Sequence, residues 1–207
     1  MTHDTDKVPF KYVAEFTELG PWRNIMSGLN IGGGAPSPEA FQKAMVFIDG
    51  TNLIYRLRAE KLRTSKLINL FPQFLSSRRI ARVYFYTVEQ HFTVALTEHS
   101  GGFCDGIRVV FGEGIVKKDG NIKEKGVDAL LVADLVYHAA SKNCEYAMVV
   151  TVDTDFVHVL RRVEDFGCRT AVLTVCSEAP DRLRQACDEY YQVDAEYLIQ
   201  NGIAIRA

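Results

Sequence analysis

The sequence predicts an α/β domain, with a doubly wound, mainly parallel five-stranded sheet, helices on both faces and an N-terminal extension in front. Two observations lead there. Short apolar runs rich in β-branched residues recur along the chain, nearly unbroken in hydrophobicity, as strands covered on both faces are. Between them lie stretches with apolar residues at helical spacing. Strand and helix in alternation require right-handed crossovers, and hence strands that run parallel.

Taken in order, residues 1–43 read as an extension and linker, and residues 44–207 as the folded domain. Phe10 to Leu19 is apolar enough to dock on a domain. Gly28 to Pro38 carries Gly32-Gly33-Gly34 and two prolines, which no regular helix or strand tolerates. Strands are expected at Ala44–Ile48, Ile80–Tyr86, Ile107–Phe111, Ala147–Thr151 and Thr170–Val175. Helices are expected at Asn52–Arg63, Lys66–Ser76, Glu89–His99, Val127–Ala140, Asp155–Phe166 and Asp181–Tyr190. The fifth of these is the clearest, because Phe156, Val159, Leu160 and Val163 form one apolar stripe.

Bulk composition narrows the function classes. Apolar residues at 47% and charged residues at 24% suit a globular protein with a sizeable core. A formal charge of −2 marks no general attraction to nucleic acid, so any such partner must meet a local basic face. Cys104, Cys144, Cys168, Cys176 and Cys187 form no C-x-x-C pair, which favours reduced thiols over a zinc site. The first residues lack an apolar signal core, and no run of 18 apolar residues occurs. A cytoplasmic protein without a membrane partner is therefore the expectation.

Ligands of open α/β sheets bind beyond the carboxyl ends of the strands, so the residues just after each strand matter most. The first strand is followed by Asp49-Gly50-Thr51-Asn52, and the fourth by Val152-Asp153-Thr154-Asp155. Lys125-Gly126-Val127-Asp128 opens the helix before the fourth strand. If the first and fourth strands are neighbours, Asp49 faces Asp153 and Asp155. Crowded carboxylates resist ionising together, and an oxygen-only ligand set suits Mg²⁺ or Mn²⁺. The bland reading of each acid alone is a helix cap: Asp155 could cap the helix at Phe156, and Asp128 sits in a first turn where negative charge is favoured anyway.

These segments also resemble a family. Val46-Phe47-Ile48-Asp49-Gly50-Thr51-Asn52-Leu53 looks like the opening motif of NYN domains, part of the PIN-like nuclease superfamily. Lys125-Gly126-Val127-Asp128, then Leu130 to Asp134, is similar to the family's lysine-glycine-x-aspartate helix start. Thr151-Val152-Asp153-Thr154-Asp155-Phe156 stands where the family usually has serine-glycine-aspartate-serine-aspartate-phenylalanine. The tail from Ser177 to Asp188, followed by Tyr190-Tyr191, fits the closing helix and strand. The resemblance spans about residues 44–195, in order and spacing.

It implies a PIN-like sheet, a divalent-metal site and RNA as substrate. Carried over by position, Asp49, Asp128, Asp153 and Asp155 are the acidic, metal-holding and catalytic set, and Asn52 orients it. Thr151 is a hydroxyl neighbour. Asp134 has a matching place but lies six residues beyond Asp128, on another helix face. Val152 departs from the usual glycine and stiffens the turn. The resemblance is also compatible with a homodimer, although no dimer face is legible.

For contact with RNA, the stretch Lys117, Lys118, Lys123 and Lys125 is the best basic candidate, read as a flexible loop feeding Asp128. Arg56, Arg58, Lys61, Arg63 and Lys66 follow the first motif, and Arg56 is counted with the lysines as a candidate RNA contact. Arg78, Arg79 and Arg82 form a third group. Tyr55, one turn after Asn52, and His91 are candidates for base stacking or proton transfer, against ordinary packing roles; His138 and His158 are weighed the same way.

The leading reading is a metal-dependent ribonuclease. The alternative is a non-catalytic RNA-binding or scaffold protein that keeps the PIN-like fold. A phosphatase of the haloacid dehalogenase type would need aspartate where Thr51 stands, and Gly32–Gly34 lacks the surroundings of a phosphate loop.

Overall fold

A computed structural model describes residues 42–75 and 77–207. The expected extension and linker, residues 1–43, thus lie outside the described residues but for the last two. The first strand, β1 (Gln42–Asp49), is buried almost throughout, because Val46 and Ile48 pack into one core while Met45 and Phe47 pack into the other. That two-sided apolar pattern is what a central parallel strand requires.

Helix α1 (Gly50–Ala59) follows at once. The tight entry depends on Gly50, where an added Cβ would lie 2.3 Å from the Phe85 ring. Lys61, in the left-handed region at φ 52°, ends the helical run, and the chain becomes β2 (Leu62–Thr64). The expected helix at Asn52–Arg63 is therefore shorter than its apolar pattern suggested. The one expected at Lys66–Ser76 is a 3₁₀ segment, Leu67–Gln73, with Pro72 inside it. Proline lacks the amide that an α-helix would need there.

Next come β3 (Arg78–Val88), α2 (Glu89–Glu98), β4 (Arg108–Val116), β5 (Ile122–Lys125) and α3 (Val127–Ala140). Then follow β6 (Tyr146–Val150), a 3₁₀ turn at Thr154–Phe156, α4 (Val157–Asp165) and β7 (Arg169–Val175). The chain closes with α5 (Asp181–Arg184), β8 (Glu189–Val193), α6 (Ala195–Gln200) and β9 (Ala204–Arg206), which pairs with β2 apart from the main sheet.

The main sheet has seven strands in the order β5-β4-β3-β1-β6-β7-β8, parallel except for β5 on β4. All five expected strands are in it. The two beyond the expected five, β5 and β8, are edge strands, and their mixed sequences Ile-Lys-Glu-Lys and Glu-Tyr-Tyr-Gln-Val carry no continuous apolar run. Edge strands need none. Two further expectations are corrected. The helix from Asp181 stops at Arg184, because Asp188 already exchanges hydrogen bonds with Thr170 on β7. The lysine-rich stretch is no loose loop but a hairpin, with Gly114 opposite Glu124 and a turn at 117–121.

Helices cover both faces, and the apolar stripe Phe156, Val159, Leu160 and Val163, on α4 and the turn before it, is buried in the same core as the apolar face of α3. Strand order reverses between β1 and β6: β3 and β4 extend one way, β7 and β8 the other. That switch point is where the loops diverge and leave a crevice. Among the described residues, no helix is long and apolar enough to cross a membrane.

Candidate metal centre

Asp49 ends β1 at the switch point and is only 7% exposed. Its Oδ1 accepts the amide of Asn52 at 3.2 Å, capping α1. Its Oδ2 accepts the Thr151 hydroxyl at 2.9 Å, from the loop after β6. The same Thr151 oxygen accepts the Asp153 amide at 3.0 Å, and Asp153 Oδ1 accepts the amide of Asp155 at 2.9 Å. One chain of hydrogen bonds thus ties the ends of β1 and β6 together. It makes Asp153, not Asp155, the cap of the turn at Thr154–Phe156. Capping and a role in the site are compatible, since each carboxylate oxygen has a second lone pair.

Asp128 stands in the first turn of α3, whose entry needs Gly126 at φ +79°. Its charge reaches the same place. Burial, with Asp128 and Asp153 as further negative charges, raises the Asp49 carboxyl to about 6 despite the bonds from Asn52 and Thr151. Partial desolvation of its carboxyl also raises Asp128, helped by Asp153, Glu124 and Asp155. The charged neighbours acting on these two carboxyls are acids.

Asp155 and Asp128 are exposed, Asp153 half-buried. Asp134 Oδ2 accepts the hydroxyl of Tyr86, the residue paired with Asp49 across β1 and β3, at 2.9 Å. Asn52 and Arg56 line a narrow cleft with Thr151 and Val152, on the β6–β7 side of Asp49. Lys117 and Lys118 lie exposed at the hairpin turn; Lys123 is exposed on β5, and Lys125 is 3.5 Å from Glu113 in an open ion pair. His138, half-buried on α3, is tied to Tyr84 and Asn143, and His158 is exposed on α4.

Sequence reasoning missed Glu124. Its Oε1 accepts the Thr51 hydroxyl at 2.7 Å and lies 2.9 Å from His91 Nδ1, while Thr51 also meets Thr87 at 2.9 Å. The signal was there in Asp119-Gly120, a strong hairpin turn pair. Once that turn is read, the two-residue period of a strand separates Glu124 from its flanking lysines.

Among the described residues, no three His, Cys, Asp or Glu side chains are already gathered as a ligand set for one ion. Mg²⁺ does not require such a cage, because it keeps several waters and binds through one or two carboxylates plus substrate phosphates. An oxygen-only cluster whose buried member is pushed up by burial and by neighbouring acids is chemically suited to such an ion.

A family model described as NYN domain matches residues 43–194. Among solved structures, a protein of unknown function from Vibrio parahaemolyticus is similar in fold, with a TM-score of 0.57 at 19% identity. The match covers 75% of this chain and 95% of that one. Among curated proteins, none matches the chain.

Proposed function

The chain belongs to the NYN domain family, of PIN-like nuclease fold, and from that premise we propose that it is a Mg²⁺- or Mn²⁺-dependent ribonuclease. RNA phosphodiester bonds would be hydrolysed beyond the carboxyl ends of β1 and β6. The observation that carries this reading is Asp49, a buried carboxylate at the strand-order switch point with acids for charged neighbours. An excess of negative charge held in place by a hydrogen-bond chain is costly unless a cation completes it.

Asp49, Asp128, Asp153 and Asp155 would hold the ion. When bound, it supplies an activated water and neutralises the charge that develops on the phosphoryl group. Thr151 keeps the Asp49 carboxylate and the Asp153 backbone in fixed register, so the acids need little rearrangement. Asn52 and Arg56 offer an amide and a cation in the cleft beside Thr151, where a phosphate oxygen can be bound. The hairpin lysines Lys117, Lys118, Lys123 and Lys125 add local positive charge on a chain whose net charge is −2. We assign this work to residues 44–207, in the cytoplasm.

The second reading, an RNA-binding or scaffold protein without catalysis, has two observations in its favour. Val152 stands where the family usually has glycine, and no ligand set is gathered among the described residues. Incubation of a mixed pool of structured and single-stranded RNAs with Mg²⁺, Mn²⁺ or EDTA separates the two. Products that require metal, and that vanish in Asp153→Asn, support the nuclease. Binding without products under every condition supports the scaffold.

A further inference from the structure

A second chain of contacts begins beside Asp49 in sequence, with no hydrogen bond joining it to that carboxylate. Thr51, two residues on, holds Glu124 at 2.7 Å; Glu124 holds His91 at 2.9 Å; and the His91 ring meets the Tyr55 ring edge-on, centroids 5.7 Å apart at 85°. Tyr55 is nevertheless 53% exposed, though its neighbours Leu53, Ile54 and Leu57 on α1 are buried. The Arg58 guanidinium lies 5.7 Å from its centroid and is pinned at 2.8 Å by Glu98. The result is an aromatic ring kept open to solvent yet fixed in orientation, on the first helix after Asp49.

A site centred on carboxylates repels the phosphates of its own substrate, and a net charge of −2 adds no general attraction. Stacking supplies affinity that needs no charge complementarity, and Arg58 beside the ring strengthens it. We propose that Tyr55 is a stacking platform for a nucleobase that flanks the cleaved phosphate, so that the substrate is unpaired at that nucleotide. The inference rests on the ribonuclease reading. A base inside an RNA duplex has both faces occupied by its neighbours, and only a splayed-out base can reach a protein ring.

Exposure alone does not single out Tyr55. Tyr137 is 61% exposed and also lies edge-to-face with a histidine, at 5.2 Å from His138. It stands in the last turn of α3, at the opposite end of that helix from Asp128, whereas Tyr55 lies one turn after Asn52, whose amide donates to Asp49. Tyr137 is therefore the internal control.

The test is fluorescence anisotropy of labelled RNA with the full chain carrying Asp153→Asn, which suppresses cleavage, in Mg²⁺. A single-stranded oligonucleotide and a duplex of the same length are compared. Added Tyr55→Ala should weaken single-strand binding about tenfold, and Tyr55→Phe by less than about twofold. Tyr137→Ala should leave it unchanged, and duplex binding should not respond to Tyr55. Undiminished single-strand binding by Tyr55→Ala, or an equal loss in Tyr137→Ala, overturns the platform. If the unsubstituted chain still cleaves RNA in that case, the nuclease reading stands without it. A chain that neither binds nor cleaves RNA overturns both.

Discussion

The two ends of the sheet handle charge in opposite ways. At the amino ends of the strands, Arg78 lies 2.9 Å from Glu189 and its guanidinium stacks 3.7 Å from the Tyr146 centroid. Tyr146 donates to Glu189 at 2.8 Å, Tyr191 donates to it as well, and Arg169 is 3.5 Å away. Burial alone would raise Glu189, but those hydroxyls and cations outweigh it and leave the carboxyl below its usual range. At the carboxyl ends, Asp49 has two hydrogen-bond donors and no cation, and it is raised to about 6. One end is complete as it stands and serves stability. The other carries uncompensated negative charge, which the proposed cation would offset.

The sharpest way to break this contrast is at the acid end. Asp153→Asn should cut RNA cleavage by at least about a hundredfold, a loss typical of removing one electrostatic contact to a reacting centre. The fold should persist, because asparagine can still cap the turn at Thr154–Phe156. Quantified cleavage beside circular dichroism checks both halves.

At the amino end the same kind of change should act on stability alone. Arg78→Met removes the ion pair and the stacking, leaving Glu189 half-buried with one cation fewer. A loss of about 2–3 kcal/mol is expected, lowering the melting temperature by roughly 5–10 °C. Cleavage at 20 °C, well below that midpoint, should be unaffected; a proportional loss there would show that the two ends are not separate.

Asp49 yields a prediction of unusual sign. Its folded value of about 6 lies above the usual 3.8, so the folded chain binds that proton more tightly than the unfolded one. Without metal, its contribution is fully stabilising below about pH 4 and is lost as pH rises through about 6. Asp49→Asn should therefore stabilise the metal-free protein at pH 8 by on the order of 2 kcal/mol, roughly 4–8 °C in melting temperature. The gain should shrink to about half near pH 5 and all but vanish below about pH 4, while activity is lost throughout. A melting series in EDTA across that range reads the sign directly, and a fall in stability at pH 8 would deny that burial, with the neighbouring acids, destabilises the Asp49 carboxylate.

The smallest effect belongs to the hairpin. Replacing Lys117 and Lys118 with alanine should weaken RNA binding a few-fold and reduce the salt dependence by about 0.7 in slope for each lysine that contacts a phosphate. An unchanged slope would remove the hairpin turn from the RNA path.

Much of this was legible in the residues because the strands behind the site are buried on both faces. Val46-Phe47-Ile48 and Met148-Val149-Val150 leave no polar residue until the loop begins, so Asp49 and Asp153 stand out as the first charges after an apolar run. Harder to read was what edge strands and side-chain bonds decide. Ile122–Lys125 reads as a charged loop, since an edge strand needs no apolar face, and Glu124 was lost with it. Which aspartate caps the turn after β6 depends on how Thr151 turns the backbone, which residue types alone do not specify.

The most direct test of the central contrast is calorimetric titration of the full chain with Mn²⁺ at pH 6, for wild type, Asp49→Asn and Arg78→Met. Saturable binding with proton release should appear in wild type, because a raised carboxyl must give up its proton to a metal. Arg78→Met should match wild type, and Asp49→Asn should lose the binding. Equal Mn²⁺ binding by Asp49→Asn, or no saturable binding by wild type, would contradict the reading of the carboxyl end as a cation site.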